Sequence, residues 1–325
     1  MLAALLRAFA MVGMKFGYPA RLVPKQLPER PAACVAKPST MTDRVAVRKT
    51  YKLYLNGAFV RSESGRTDAV GGENVVRGSR KDVRDAVQFA RAGHEKWAGQ
   101  TPSNRGLVLY RLAEMMEARA SSLAEQLVSG GTVDAEAAQR EVEAAIDRTV
   151  WYAGWCDKYV ALASARNPVA GPHFNFSTTE PAGVIGVIAP DAPALLGLVT
   201  AVLPPLVSGN AVIVVASERD PRTAVVFAEC VATCDLPGGV CNVITGTRAE
   251  LGPALAGHMD VDGLHAFGAG HEAEVALGEL ASESVTRTKF EDAPPADAWF
   301  TGTYDDLDRV LAFTEMKTIW HPARI

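Results

Sequence analysis

Glu218 follows a run of five aliphatic residues, Ala211–Val215, with only Ala216 and Ser217 between. A carboxylate just past the end of a strand is placed to accept hydrogen bonds from ribose hydroxyls; its bland alternative is a solvated loop acid. Gly268-Ala269-Gly270 falls between a β-rich run and a helical one, where backbone without side chains lets a diphosphate approach a helix N-terminus. The fingerprint is incomplete, because Ala273 stands where the last glycine of Gly-x-Gly-x-x-Gly would fall. Other reactive types lack company. Cys230 and Cys234 are one helical turn apart, with no histidine or second cysteine pair nearby, and read as buried thiols. His94 and Cys156 sit on helical faces without a second ligand, and Trp97, Trp151 and Trp155 read as helix packing.

The elements that must position these residues come from the hydrophobic pattern. Five short β-rich runs, Val184–Ile188, Ala211–Val215, 240–244, 264–267 and 298–300, alternate with helix-length segments at 193–207, 221–234, 249–256 and 271–284. Continuous apolar strands separated by helices predict a parallel sheet covered on both faces. Its ligand crevice lies at the carboxyl ends of the strands, which selects residues 189–192, 216–218, 245–247 and 268–270. Upstream, Asn56-Gly57 between β-rich arms predicts a hairpin. Helices are predicted from Ser79 to Trp97, from Ser103 to Gly130 with Leu107 among its buried residues, and from Asp134 to Ala161. Residues 168–181 alternate as an extended hairpin.

The chain has 325 residues, 48% apolar and 22% charged, enough for one large α/β domain or two modest ones. Residues 1–40 carry six basic side chains against one acid, a sum of +5, and the remaining 285 residues sum to −9. The acidic body argues against a nucleic-acid or anionic-membrane partner, since phosphate binding needs clustered Lys and Arg. Five irregularly spaced cysteines suggest reduced thiols and a cytoplasmic location. The first 40 residues read as a disordered extension ahead of a natural start near Met41, with an amphipathic transit peptide as the competing reading.

Three motifs in register, EPAGVIG at 180–186, LPPLVSGNAV at 203–212 and LPGGVCNVITG at 236–246, resemble the cofactor-binding domain of NAD(P)-dependent aldehyde dehydrogenases. Residues 51–65, WYAGW at 151–155 and HMDVD at 258–262 extend the resemblance over roughly residues 50–320. It implies an α/β fold with a Rossmann-like parallel sheet, an N-terminal helical region and a small β oligomerisation element. The domains it implies are 41–301, including an oligomerisation hairpin at 168–181, and a C-terminal oligomerisation strand within 302–325. NAD or NADP is the implied cofactor, with Ile188, Ala189, Pro190, Glu218, Gly246 and Gly268 as cofactor-binding positions.

The same resemblance exposes departures. The family's oxyanion-holding asparagine is Ala192 here, a loss of roughly 2.7–4 kcal/mol of transition-state stabilisation for one donor. The lysine three residues ahead of the ribose glutamate is Val215, and the hydroxyl residue after the strand is Ala269. Glu291 falls at the general-base position, followed by Pro294-Pro295 where the family has glycine and lysine. After the segment from Tyr304 to Asp308 the chain passes directly to a stretch, 313–320, resembling the family's oligomerisation strand. The segment carrying the family's nucleophilic cysteine is therefore expected to be missing. The expected function is a catalytically silent subunit pairing with itself or with a full-length aldehyde dehydrogenase, with cofactor binding weak or absent. The alternatives are an active NAD(P)-dependent oxidoreductase acting on aldehydes and a module that senses NAD(H) without turnover.

Overall fold

A computed structural model describes residues 47–301 and 307–323. The expected head at 1–40, the start at Met41 and positions 304–306 of the linker lie outside the described residues. From Arg48 onward the chain opens with β1 (Thr50–Tyr51), β2 (Leu53–Leu55) and β3 (Ala58–Val60). The β2–β3 hairpin turns at Asn56 and Gly57, whose φ angles of 52° and 80° are the left-handed pair such a two-residue turn needs. β4 (Thr67–Val70) and β5 (Glu73–Val76) join β1 in a small sheet.

α1 (Arg80–Ala98) starts at a capping box, in which Ser79 N–H donates to Asp82 Oδ2 at 2.8 Å and the Ser79 hydroxyl accepts from Asp82 N–H. The single helix expected from Ser103 to Gly130 is two, α2 (Pro102–Glu117) and α3 (Ala120–Ser129), broken at Ala118-Arg119. Leu107 is 62% exposed, not part of the buried side. α4 (Ala135–Ala153) stops earlier than expected, and a short α5 (Tyr159–Ala163) follows it.

β6 (Ala165–Asn167) and β7 (His173–Pro181) pair antiparallel, so the extended segment is one long strand with its turn near 168–172. The α/β repeat comprises β8 (Val184–Ile188), α6 (Leu196–Val207), β9 (Ala211–Val215), α7 (Arg222–Val231), β10 (Cys241–Ile244), α8 (Arg248–Ala256), β11 (Gly263–Phe267), α9 (His271–Ser282) and β12 (Arg287–Glu291). α10 (Asp308–Leu311) and β13 (Thr314–Pro322) follow. The expected strand at 298–300 is a correction: it is the end of a 3-10 turn, Ala296–Phe300, and the fifth parallel strand is β12. β12 is an edge strand with no fully buried residue, so its Arg-Thr-Lys-Phe-Glu sequence carries no apolar run.

The main sheet runs β12-β11-β8-β9-β10-β2-β3, parallel from β12 to β10. Alternate strand residues face opposite cores. Ile185, Val187, Val212 and Val214 pack toward α6, α7 and the α2–α4 layer, whereas Val184, Ile188, Ile213 and Val215 pack with α1 and α8. α6 is buried on every side, and Trp97 of α1 donates its indole N–H to Leu206 O at 2.9 Å. β13 zips onto β7 over nine residues, from Thr314 opposite Pro181 to Pro322 opposite His173.

Candidate functional site

The carboxyl ends of β8 to β11 open onto a cavity of about 350 Å³ lined by Ile188, Glu218, Arg248, Ala269, Leu277 and Leu280, among others. Of the expected cofactor positions, Ile188 and Glu218 therefore line one cavity together. Gly268, at φ 58°, turns the chain so that Ala269 reaches the same wall. Ala189 contributes its carbonyl, which accepts from Arg248 Nη2 at 2.6 Å. Pro190 instead packs on Gly197, and Gly246 lies against Leu251 and the Gly78 backbone, so neither lines this cavity.

Glu218 is exposed, and its carboxylate accepts the backbone N–H of Arg248 at the start of α8, where the helix dipole favours an anion. Asp191, inside the selected span 189–192 but given no role by the sequence, is held more tightly. Its Oδ1 accepts from Ser217 Oγ at 2.8 Å, Glu218 N–H at 3.1 Å and Arg248 Nη2 at 2.9 Å. The only signal available was position, since Asp191 lies in the loop after β8 and Arg248 opens α8 after the β10 loop, both at the crevice end of the sheet.

A second cavity of about 620 Å³ adjoins the first, lined by Val133, Glu141, Asp191, Ala192, Arg219 and Phe300 among others. Ala192 presents a methyl here. Glu141 is buried in α4; burial pushes its pKa up, and the N–H groups of Leu195 and Leu196, at 2.7 and 3.2 Å, work against that shift.

Glu291 sits at the end of β12, opposite Phe267. His265 Nε2 lies 2.8 Å from its Oε1, and Arg309 Nε lies 2.9 and 3.1 Å from its two oxygens, with Arg309 Nη2 also bonded to Oε2. Burial pushes the Glu291 pKa up, but the hydrogen bonds from His265 and Arg309 outweigh it and hold the group at about 2. Burial lowers the pKa of His265 against the opposing pull of Glu291, and its Nδ1 is buried without a hydrogen-bond partner. Both oxygens of Glu291 are thus committed to neighbours, and a general base needs one aimed at a reacting proton.

The residues around the first cavity suit the adenosine half of a dinucleotide: its walls are mainly apolar, its size is at the lower end for small-molecule sites, and Glu218 is at its edge. Ile188, Ala269 and Leu277 would hold the base and Glu218 the ribose. The described cysteines, Cys156, Cys230, Cys234 and Cys241, are buried, and burial raises each thiol pKa to between about 11 and about 12. None of them lines either cavity, and none is a thiolate near neutral pH. Among the described residues no group of three or more His, Cys, Asp or Glu could hold a metal ion, and no helix is long and apolar enough to cross a membrane.

The chain is 31% identical over 252 residues to the putative aldehyde dehydrogenase DhaS of Bacillus subtilis, covering 74% of this chain and 50% of that protein. It is 30% identical over 283 residues to retinal dehydrogenase 2 of Mus musculus, covering 83% of this chain and 53% of that one. It thus spans about half the length of the curated relatives it matches. Among solved structures, the NAD+ complex of an aldehyde dehydrogenase from Bacillus cereus superposes with a TM-score of 0.71 at 23% identity, covering 75% of this chain and 51% of that one. An NADP-dependent enzyme of E. coli superposes equally well, TM-score 0.71 at 19% identity, over 75% of this chain and 52% of that one. Both structural likenesses speak to the fold alone. The family model described as "Aldehyde dehydrogenase family" matches residues 67–314, the span that holds both cavities and Glu291, and the chain belongs to that family.

Proposed function

We propose that this chain is a non-catalytic aldehyde dehydrogenase family member that keeps a nucleotide site and serves as an assembly subunit. The observation that carries the reading is the closure of Glu291 by Arg309 and His265, which occupies the base position with a buried ion pair. Three features support it. Ala192 offers no oxyanion donor, and the described cysteines are protonated and buried away from the crevice. Only thirteen residues separate the end of the 3-10 turn at Phe300 from the start of β13 at Thr314, which supports the reading that the cysteine-bearing segment implied by the resemblance is missing there.

The partner would dock on the β13-β7-β6 sheet. β6 and β13 are its edges, and Phe174, Met316 and Trp320 expose 42%, 57% and 60% of their surfaces. Unpaired strand edges flanked by exposed apolar side chains favour addition of another strand. A second copy, or a full-length aldehyde dehydrogenase subunit, supplies one. Buried reduced thiols fit a reducing compartment such as the cytoplasm.

Titrating NAD and NADP against the purified protein by calorimetry, with an aldehyde panel assayed for nicotinamide reduction, tests the reading. Binding without reduction, together with a dimer or a mixed complex in sedimentation, is the expected outcome. Steady aldehyde-dependent reduction that tracks the protein through purification would replace it with an active oxidoreductase.

A further inference from the structure

An ion pair joins the linings of the two cavities at the carboxyl end of the sheet. Arg248 lines the smaller cavity, Asp191 lines the larger, and their side chains meet at 2.9 Å. A dinucleotide has two nucleoside halves joined by a diphosphate, so a molecule seated in both cavities must cross this bridge with its most negatively charged part. The bridge also has the make-up of an anion site already filled. Asp191 Oδ1 collects a guanidinium N–H, a hydroxyl and a backbone N–H, from Arg248, Ser217 and Glu218. That is the mixture of donors a phosphate oxygen takes. Arg248 Nε is buried and has no hydrogen-bond partner, so the guanidinium is not saturated by the contacts it makes. The pair is accessible, with side-chain exposures of 20% for Arg248 and 42% for Asp191, and can exchange partners.

Resting on the reading of the crevice as a nucleotide site, we infer that Asp191 is an internal phosphate mimic that occupies Arg248, Ser217 and the Glu218 N–H until a phosphate-bearing adenine nucleotide displaces it. Affinity for such ligands is then set by competition with a carboxylate of the protein's own. The contact inhibits nucleotides that carry phosphate and leaves the bare nucleoside unaffected, because only the phosphate and Asp191 seek the same donors. When Asp191 swings out, its charge must go to solvent, which its partial exposure permits, and no bond is made or broken apart from hydrogen bonds.

The test is calorimetric titration of the full chain with ADP-ribose and with adenosine, in the wild type, Asp191→Ala, Asp191→Asn and Arg248→Ala. Removing the competing charge is expected to tighten ADP-ribose by about tenfold in Asp191→Ala, one charge-assisted hydrogen bond's worth, with adenosine unchanged. Asp191→Asn keeps the acceptor oxygen and controls for folding; it should fall between the wild type and Asp191→Ala. Arg248→Ala should bring ADP-ribose down to the affinity of adenosine. If ADP-ribose binds the wild type and Asp191→Ala equally, the mimic is overturned and the nucleotide site stands. If neither ADP-ribose nor adenosine binds any of the four, the nucleotide reading falls and the mimic falls with it.

Discussion

Glu218 and Glu291 are both acids at the carboxyl ends of parallel strands in one sheet, and they differ in what holds them. Glu218 is exposed beside a cavity and accepts one backbone N–H. Glu291 is pinned by a histidine and an arginine, the latter delivered by α10. The difference arises from topology. α10 comes from a later segment of the chain and covers the end of β12, whereas the end of β9 faces an open crevice. An acid at a strand end therefore stays open to a ligand where a downstream element gives it a single backbone N–H, as α8 does for Glu218, and is closed where buried side chains take both its oxygens, as for Glu291; within this family fold one sheet carries both outcomes.

The strongest way to break the comparison is at Glu291. Replacing it with Ala takes the carboxylate from Arg309, whose side chain is only 6% exposed, and should cost about 3–5 kcal/mol in urea unfolding. A cost below about 1 kcal/mol would make Glu291 as loosely held as Glu218. The pH dependence follows with a definite sign. A folded pKa of about 2 against the ordinary 4.5 means that stability from this group is fully present above pH 4.5 and is lost as pH falls toward 2. Glu291→Ala should flatten that part of the acid limb, and unchanged acid sensitivity would show that other carboxylates dominate it.

A smaller effect is expected at the glycine between the two regions. Gly268 N–H donates to Glu291 O at 2.8 Å, and its φ of 58° is a left-handed conformation. A Cβ there would lie 2.9 Å from that of Ala293. Gly268→Ala should cost about 1–2 kcal/mol and also weaken NAD binding, since the strain displaces Ala269 at the cavity wall. Weakened binding with stability intact would place the glycine's importance wholly on the ligand side.

Glu218→Gln should barely register in stability, within about 0.5 kcal/mol, because the group is exposed. Its effect belongs to ligand affinity, where loss of a charged acceptor should weaken NAD by about tenfold in titration. Equal NAD affinity in the variant would remove Glu218 from the site.

Much of this architecture was legible where a local rule decides the outcome. Asn56-Gly57 dictated its turn, Ser79 and Asp82 dictated a helix start, and the apolar runs of β8 to β11 marked strands buried on both faces. The edge strand β12 was not legible, because it has a neighbour on one side only and needs no continuous apolar run; the more apolar 298–300 attracted the assignment instead. The break between α2 and α3 falls at Ala118-Arg119, with no glycine or proline to announce it. For the site, the place of Glu218 beyond a strand was readable from the strand end, whereas Ile188 came only with the family resemblance. The pairings of Asp191 with Arg248 and of Glu291 with Arg309 join segments 57 and 18 residues apart, and no spacing rule links them.

α6 has no polar face at all, since each of its residues from Leu196 to Val207 is buried. During synthesis it emerges after α1 and α4, which cover part of it, but before β9, which supplies the adjoining strand. For that interval the side of this almost wholly apolar helix that β9 will cover has no protein surface to lie against, and the helix cannot shed that exposure by rotating. The nascent chain is at that stage a natural client for chaperones that bind exposed hydrophobic segments. Refolding of the purified protein should accordingly lose yield as concentration rises, through contacts between α6 segments of different molecules.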